Sequence, residues 1–201
     1  MVNNGMPAIT SEILRTSFTL AEKPAAPSPG LLPAGVLLPL FFNDGRPHIL
    51  FTQRTFTVKD HRGQISFPGG VQDHGDADPL ATALRESQEE IGLQTEVVEV
   101  FGPLPPLATV TGYWITAYVA QIPYPYEFQV NKKEVRQLLL LPLEGFYWPE
   151  RWSAGTYNYK GNSVRVCYWR QEQTIIWGAT ARLLLHFLAR LGFTHISECA
   201  S

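Results

Sequence analysis

Three glutamates and one arginine crowd the stretch LRESQEEIGL, Leu84 to Leu93. Glu86, Glu89 and Glu90 stand three or four residues apart, so a helix would set them side by side. The like-charged pair Glu86 and Glu90 costs roughly 0.2–0.5 kcal/mol in such a helix. Carboxylates in the last turn also meet the negative end of the helix dipole, at about 0.3–1 kcal/mol more. Arg85, four residues before Glu89, offsets part of this. A helix selected for stability alone would carry lysines there. A divalent cation held by oxygen ligands would turn the repulsion into binding energy. A solvated acidic face is the plainer alternative, and the cluster alone does not choose between them. Just upstream stands Phe67-Pro68-Gly69-Gly70. Paired glycines permit positive φ and bring bare backbone against a ligand, although a tight turn needs no more than this.

The helix that must carry the acids has clear ends. Asp78-Pro79 offers an N-cap followed by a proline at the first helical position, and Gly92 suits the left-handed residue that closes a helix. Between them Leu80, Leu84, Ser87 and Ile91 follow the spacing of a buried stripe, with the three acids on another face. Before the glycines, AGVLLPLFF (34–42) and PHILFTQR (47–54) flank Asp44-Gly45 and predict a hairpin. Residues 55–70 read as a loop with basic punctuation. EVVEVFG (96–102) and VTGYWITAYVAQI (110–122) predict strands separated by Pro103, Pro105 and Pro106. KEVRQLLLLPL (133–143) reads as a short helix running into a strand. YNYKGNSVRVCYW (157–169) predicts a second hairpin, and WGATARLLLHFLARL (177–191) a buried closing helix. Residues 1–30 form an N-terminal arm, with a short helix near Ile9 to Arg15 and the proline-rich KPAAPSPG linker. The working domain spans 31–201. This order predicts an α/β fold, a mixed sheet with helices on both faces.

The chain is nearly neutral, with 16 basic and 18 acidic residues. That balance argues against a nucleic-acid or membrane-surface binder. No apolar run reaches membrane-spanning length, and the first residues lack a secretory pattern. Two cysteines, Cys167 and Cys199, show neither metal nor redox spacing and suit a reduced, cytoplasmic protein.

Taken with the glycines, the acidic helix resembles the signature of the Nudix hydrolase family. That signature runs glycine, five residues, an acid, seven residues, then Arg-Glu-hydrophobic-any-Glu-Glu-any-Gly-hydrophobic. From Gly70 this chain offers Asp76, then Arg85, Glu86, Glu89, Glu90, Gly92 and Leu93. It departs in having Asp at 76, eight residues before Arg85, and Ser87 in place of a hydrophobe. The spacing leaves Asp76 without an assigned role. A second segment, LFTQRTFTVKDHRGQISFPGG (50–70), is similar to the one that marks coenzyme A pyrophosphatases within the family. Thr52, Arg54, Gly63 and Phe67 to Gly70 match in register, while Lys59 replaces an arginine. TVTGY (109–113), EVRQLLLLPL (134–143) and IWGATARLL (176–184) are similar to later parts of that branch.

The resemblance implies a Nudix-type α/β/α sandwich and hydrolysis of the coenzyme A pyrophosphate to 4′-phosphopantetheine and adenosine 3′,5′-bisphosphate. It implies Mg²⁺ or Mn²⁺ held by Glu86 and Glu90, with Glu89 as third ligand or water-orienting base. The carbonyl of Gly69 or Gly70 is a further ligand candidate, and Arg85 would hold a glutamate in place. Glu134 is the candidate base from a later loop, against the reading of a surface glutamate that starts a helix. Arg54, Lys59 and Arg62 would meet phosphates, the 3′-phosphate included. Tyr124, Tyr126 and Phe128 either cover the substrate or pack. The partner implied is a small molecule, coenzyme A or an acyl derivative, and a homodimer is left open. Rival readings are a family member acting on ADP-ribose or a dinucleotide, and a non-catalytic nucleotide sensor. An isomerase on this scaffold would need a catalytic cysteine near the motifs, where this chain has none.

Overall fold

A computed structural model describes residues 9–55 and 63–193. The chain opens with a short helix α1 (Ser11–Ser17), capped by the Thr10 hydroxyl on the Ile13 N–H. Strands β1 (Leu32–Asn43) and β2 (Arg46–Arg54) form the expected hairpin across Asp44-Gly45, both at positive φ. Two short strands follow, β3 (Ile65–Ser66) and β4 (Gly69–Val71), and then helix α2 (Pro79–Ile91). The next elements are β5 (Glu99–Pro103), β6 (Leu107–Ala108), β7 (Tyr113–Gln121) and β8 (Val135–Pro142). The chain closes with β9 (Trp152–Tyr159), β10 (Asn162–Gln171), β11 (Thr174–Trp177) and helix α3 (Gly178–Arg190).

The main sheet is mixed. β1 runs parallel to β7 from Leu32 opposite Tyr113 to Leu40 opposite Gln121, and antiparallel to β2 and β4. Its position explains its composition, because a strand covered on both faces reads as an almost continuous apolar run. Leu37 and Phe41 face a core shared with α2, through Ala83, Ile91 and Leu93. Leu38 and Leu40 face the other core, where α1, α3 and the sheet β11-β10-β9 pack through Leu14, Phe18, Phe187, Leu184, Trp169 and Ile176. The expected α/β architecture, with helices on both faces of a mixed sheet, is the one observed. No helix among the described residues is long and apolar enough to cross a membrane.

Several expectations need correction. The expected short helix at the start of residues 133–143 is not formed; the one helical piece there is a 3₁₀ turn that begins at Leu143, after the strand. A turn at Asn131 gives way directly to β8, which pairs with β2 from His48 opposite Pro142 to Arg54 opposite Val135. The leucines obey the period of a strand: Leu139 and Leu141 pack on the α3 side and Leu138 on the α2 side. Strand pairing here overrides the helix propensity of leucine. The segment 55–70 is not all loop, since β3 pairs with β2 and β4 with β1. β5 begins only at Glu99, after a 3₁₀ turn at Thr95–Val97, and β11 extends the second hairpin into a three-stranded sheet.

Candidate metal and catalytic site

Helix α2 ends as its sequence predicts. The Asp78 carboxylate accepts from the Ala81 N–H, Pro79 opens the helix, and Gly92 closes it at φ 69°. The helix is set hard against β1. A side chain at Gly35 would collide with the Pro79 carbonyl, so only glycine lets the two backbones meet there. The buried stripe differs from the expected one. Thr82, Ala83, Ser87, Glu90 and Ile91 are buried, whereas Leu80 and Leu84 are only half covered. Glu90 therefore leaves its fellow acids and points into the protein.

The Gly-Gly turn is held by its neighbours. Phe67 is buried and stacks on Phe51 of β2 at 5.0 Å, and the Pro68 carbonyl accepts from the Leu37 N–H at 2.9 Å. Gly69 sits at φ 149°, where a side chain would strike β1. At Gly70 a Cβ would lie 2.5 Å from the Glu86 carboxyl group. The bare backbone of β4 is thus what accommodates that carboxylate.

Arg85 organises the rim. Its fork grips Asp76 through Nε to Oδ1 and Nη2 to Oδ2, both at 2.9 Å. Its Nη1 lies 2.9 Å from Glu86 Oε1 and donates to Glu89 Oε2 at 3.2 Å. Asp76 also accepts from the Thr82 hydroxyl and the Asp73 N–H, each at 2.9 Å. These bonds hold its carboxyl well below the usual carboxylate range. Sequence reasoning left Asp76 without a role because of the extra residue before Arg85. In the fold Asp76 lies just ahead of the Asp78 cap, and Arg85 reaches back to it from the second turn of α2.

Burial pushes Glu90 up to about 8, with Glu86 and Glu134 pushing the same way. The Arg54 charge opposes this, as does a smaller pull from the Gly69 N–H. Burial likewise raises Glu86, against Arg85, with Glu89 and Glu134 adding to the rise. Glu134 therefore lies within electrostatic reach of both acids. It sits in the turn before β8, where Asn131 Nδ2 donates to its Oε1 at 3.1 Å. The Asn131 N–H donates to the Glu90 carbonyl at 2.9 Å, tying this turn to α2. Arg54, at the end of β2, places Nη1 3.8 Å from Glu90 Oε1. Glu89 is the most exposed of the acids, and Lys59, His61 and Arg62 lie outside the described residues. His74 is an exposed loop residue. Tyr126 and Phe128 pack on the core beneath α2, and Tyr124 stacks on Phe41, five residues along β1 from the Val36 that faces Gly69.

The arrangement fits a hard divalent cation. Glu90 Oε2 is buried without a hydrogen-bond partner, and a carboxylate in that condition calls for a positive charge. The nearby candidate donors are carboxylate and backbone carbonyl oxygens, a hard set that suits Mg²⁺ or Mn²⁺. Among the described residues no three acidic, His or Cys side chains converge on one point as placed. Arg85 holds Glu86 and Glu89 to itself, so ion binding would draw Glu86 away from the guanidinium.

Comparison with known proteins agrees with this geometry. The NUDIX domain profile matches residues 31–159. A protein of Shigella flexneri described as an uncharacterized Nudix hydrolase NudL is 36% identical over 161 residues, covering 80% of this chain and 83% of that one. The protein of the same description from Escherichia coli K12 is 36% identical over 159 residues, covering 79% and 82%. Among solved structures, a Nudix hydrolase from M. smegmatis, RenU, aligns with a TM-score of 0.49 and 22% identity, covering 58% of this chain and 74% of that one. A profile match over more than half of the chain, with relatives above one-third identity across four-fifths of it, makes this protein a member of the Nudix hydrolase family.

Proposed function

We propose that this Nudix hydrolase cleaves the pyrophosphate of coenzyme A or one of its derivatives, giving 4′-phosphopantetheine and adenosine 3′,5′-bisphosphate. The observation that carries the hydrolytic reading is Glu90, a buried carboxylate with one oxygen unpartnered, beside Glu86 and Glu134. Glu86 and Glu90 would hold a Mg²⁺ or Mn²⁺ ion, with Glu89 as third ligand or water-orienting base and a carbonyl at Gly69 or Gly70 as a further ligand. Such an ion, when bound, would neutralise charge on the pyrophosphate and acidify an attacking water. Arg85, anchored on Asp76, orients the carboxylates of Glu86 and Glu89. Glu134 takes the proton of the attacking water as the bridging P–O bond breaks.

The substrate assignment rests on residues 50–70, whose Thr52, Arg54, Gly63 and Phe67 to Gly70 match the coenzyme A branch. Arg54, Lys59 and Arg62 then receive the phosphates. We also place the enzyme in the reducing cytoplasm, on its sparse cysteines. The test is product identification from coenzyme A, ADP-ribose and a diadenosine polyphosphate, each with Mg²⁺ or Mn²⁺. Phosphopantetheine as product supports the assignment. Cleavage of another compound with coenzyme A untouched retires it in favour of a different nucleoside diphosphate derivative. Lys59→Ala should raise KM for coenzyme A more than for its 3′-dephosphorylated form, and equal changes would remove Lys59 as a reader of that phosphate.

A further inference from the structure

Two buried polar atoms of opposite charge lack partners in this site: Glu90 Oε2 and Arg54 Nε. They belong to side chains that face each other. Leu50 and Thr52 are buried on the α2 side of β2 or within the strand, and the two-residue period of a strand sends Arg54 to that same side. The register with β8 shifts beside it, where Gln53 faces Gln137 and Arg54 faces Val135, so the extra residue, Arg136, lies on β8 and β2 keeps its period. The Arg54 backbone is fixed, since its N–H donates to the Gln64 carbonyl at 2.9 Å and the next N–H, of Thr55, donates to the Glu134 carbonyl at 2.8 Å. Yet the ion pair is loose. At 3.8 Å, Nη1 and Glu90 Oε1 are well beyond the 2.7–2.9 Å of a charge-assisted hydrogen bond. Among the described residues Arg54 is the only cation within ion-pair reach of Glu90.

We propose that Arg54 is an exchangeable partner: it faces Glu90 while the site is free of metal, and passes to a substrate phosphate when a divalent cation takes Glu90. This deepens the assignment above, resting on Glu90 as a ligand and Arg54 as a phosphate contact. A guanidinium and a dication cannot both lie against one buried carboxylate without repelling each other. The fork that the cation displaces carries an unpartnered Nε and needs an anion, and a pyrophosphate brings one to the same place. Arg54 therefore weakens metal binding to the free enzyme and strengthens it once a diphosphate is present. Metal and substrate become coupled ligands, each raising the affinity for the other.

The consequence has an unusual sign. Arg54→Gln should bind Mn²⁺ more tightly than the wild type in the absence of substrate, by about tenfold. With Mn²⁺ saturating, the same variant should bind α,β-methylene-ADP about tenfold more weakly. Arg54→Lys keeps the charge but loses the fork, so its substrate-free Mn²⁺ affinity should stay near the wild type while its affinity for the analogue falls. Calorimetric titration of Mn²⁺ into the full-length protein, with and without the analogue, reads all of these. Unchanged or weaker substrate-free Mn²⁺ binding by Arg54→Gln overturns the exchange, as does a lysine variant that behaves like the glutamine one. If wild type and variants alike take up no Mn²⁺ in either condition, the metal assignment itself falls, and the exchange with it.

Discussion

Replacing Glu90 by glutamine should act in opposite directions on activity and on stability. The carboxylate ordinarily titrates at 4.5 and is pushed up to about 8 in the folded, metal-free protein. The fold therefore favours the protonated form. Its contribution is fully present below about 4.5 and is lost as pH rises through about 8. Urea unfolding in a chelator should show wild-type stability falling over that window by up to about 1.4 kcal/mol per pH unit. Glu90→Gln should flatten the fall and be the more stable protein at pH 8, while losing well over 100-fold in turnover, more than the 10–100-fold typical of changes outside the ligand set. Parallel pH–stability profiles for the two proteins would remove the buried charge as their cause. Asp76 works at one remove, through Arg85. Asp76→Asn should cost about 10–100-fold in turnover and weaken Mn²⁺ binding. Wild-type kinetics and metal affinity in that variant would leave Asp76 a structural residue only.

The turn before β8 ties two parts of the site together. Asn131 bonds the Glu90 carbonyl with its N–H, Glu134 with its amide, and the Lys133 N–H with its Oδ1 at 3.2 Å. Asn131→Ala should lower kcat by about tenfold with little change in KM, at a stability cost of about 1 kcal/mol for the lost hydrogen bonds. An unchanged kcat would show that Glu134 needs no such support. These elements also show what was legible in the sequence. α2 could be delimited to the residue because its end signals are local: Asp78, Pro79 and Gly92 each act within a few residues of themselves. The hairpin turns at Asp44-Gly45 and Lys160-Gly161 were readable for the same reason. β8 was misread because four successive leucines carry no period, and only pairing with β2 decides their conformation. Glu90 was placed with its neighbours on an acidic face because sequence spacing cannot say which way a helix is rolled on a sheet. The meeting of Arg54 with Glu90, and of Arg85 with Asp76, depends on that roll and on loop geometry.

At the scale of the whole molecule, residues 9–18 of the N-terminal arm are part of the core. α1 buries Leu14 completely and Phe18 nearly so, and Phe18 stacks on Phe187 of α3 at 5.8 Å. Polar contacts secure the arm further along. Arg190 Nε donates to the Ser17 carbonyl at 2.8 Å and Nη2 to Glu22 at 2.9 Å, while Arg15 grips Glu99. Leu14→Ala should cost about 2–5 kcal/mol in urea unfolding, with turnover near the wild type at low temperature. A loss below about 1 kcal/mol would mean the arm is dispensable to the fold. The direct seat of Pro79 on Gly35 has a wider meaning for how such a protein can diversify. At that one seat no side chain separates helix from strand, so the start of α2 has nothing to trim or enlarge, and the packing of Leu37 and Phe41 on Ala83 and Ile91 sets the rest of its tilt. New substrate shapes must then be met by the segments around the acids, at 63–64 and 122–134, leaving the charged centre as an inherited constant.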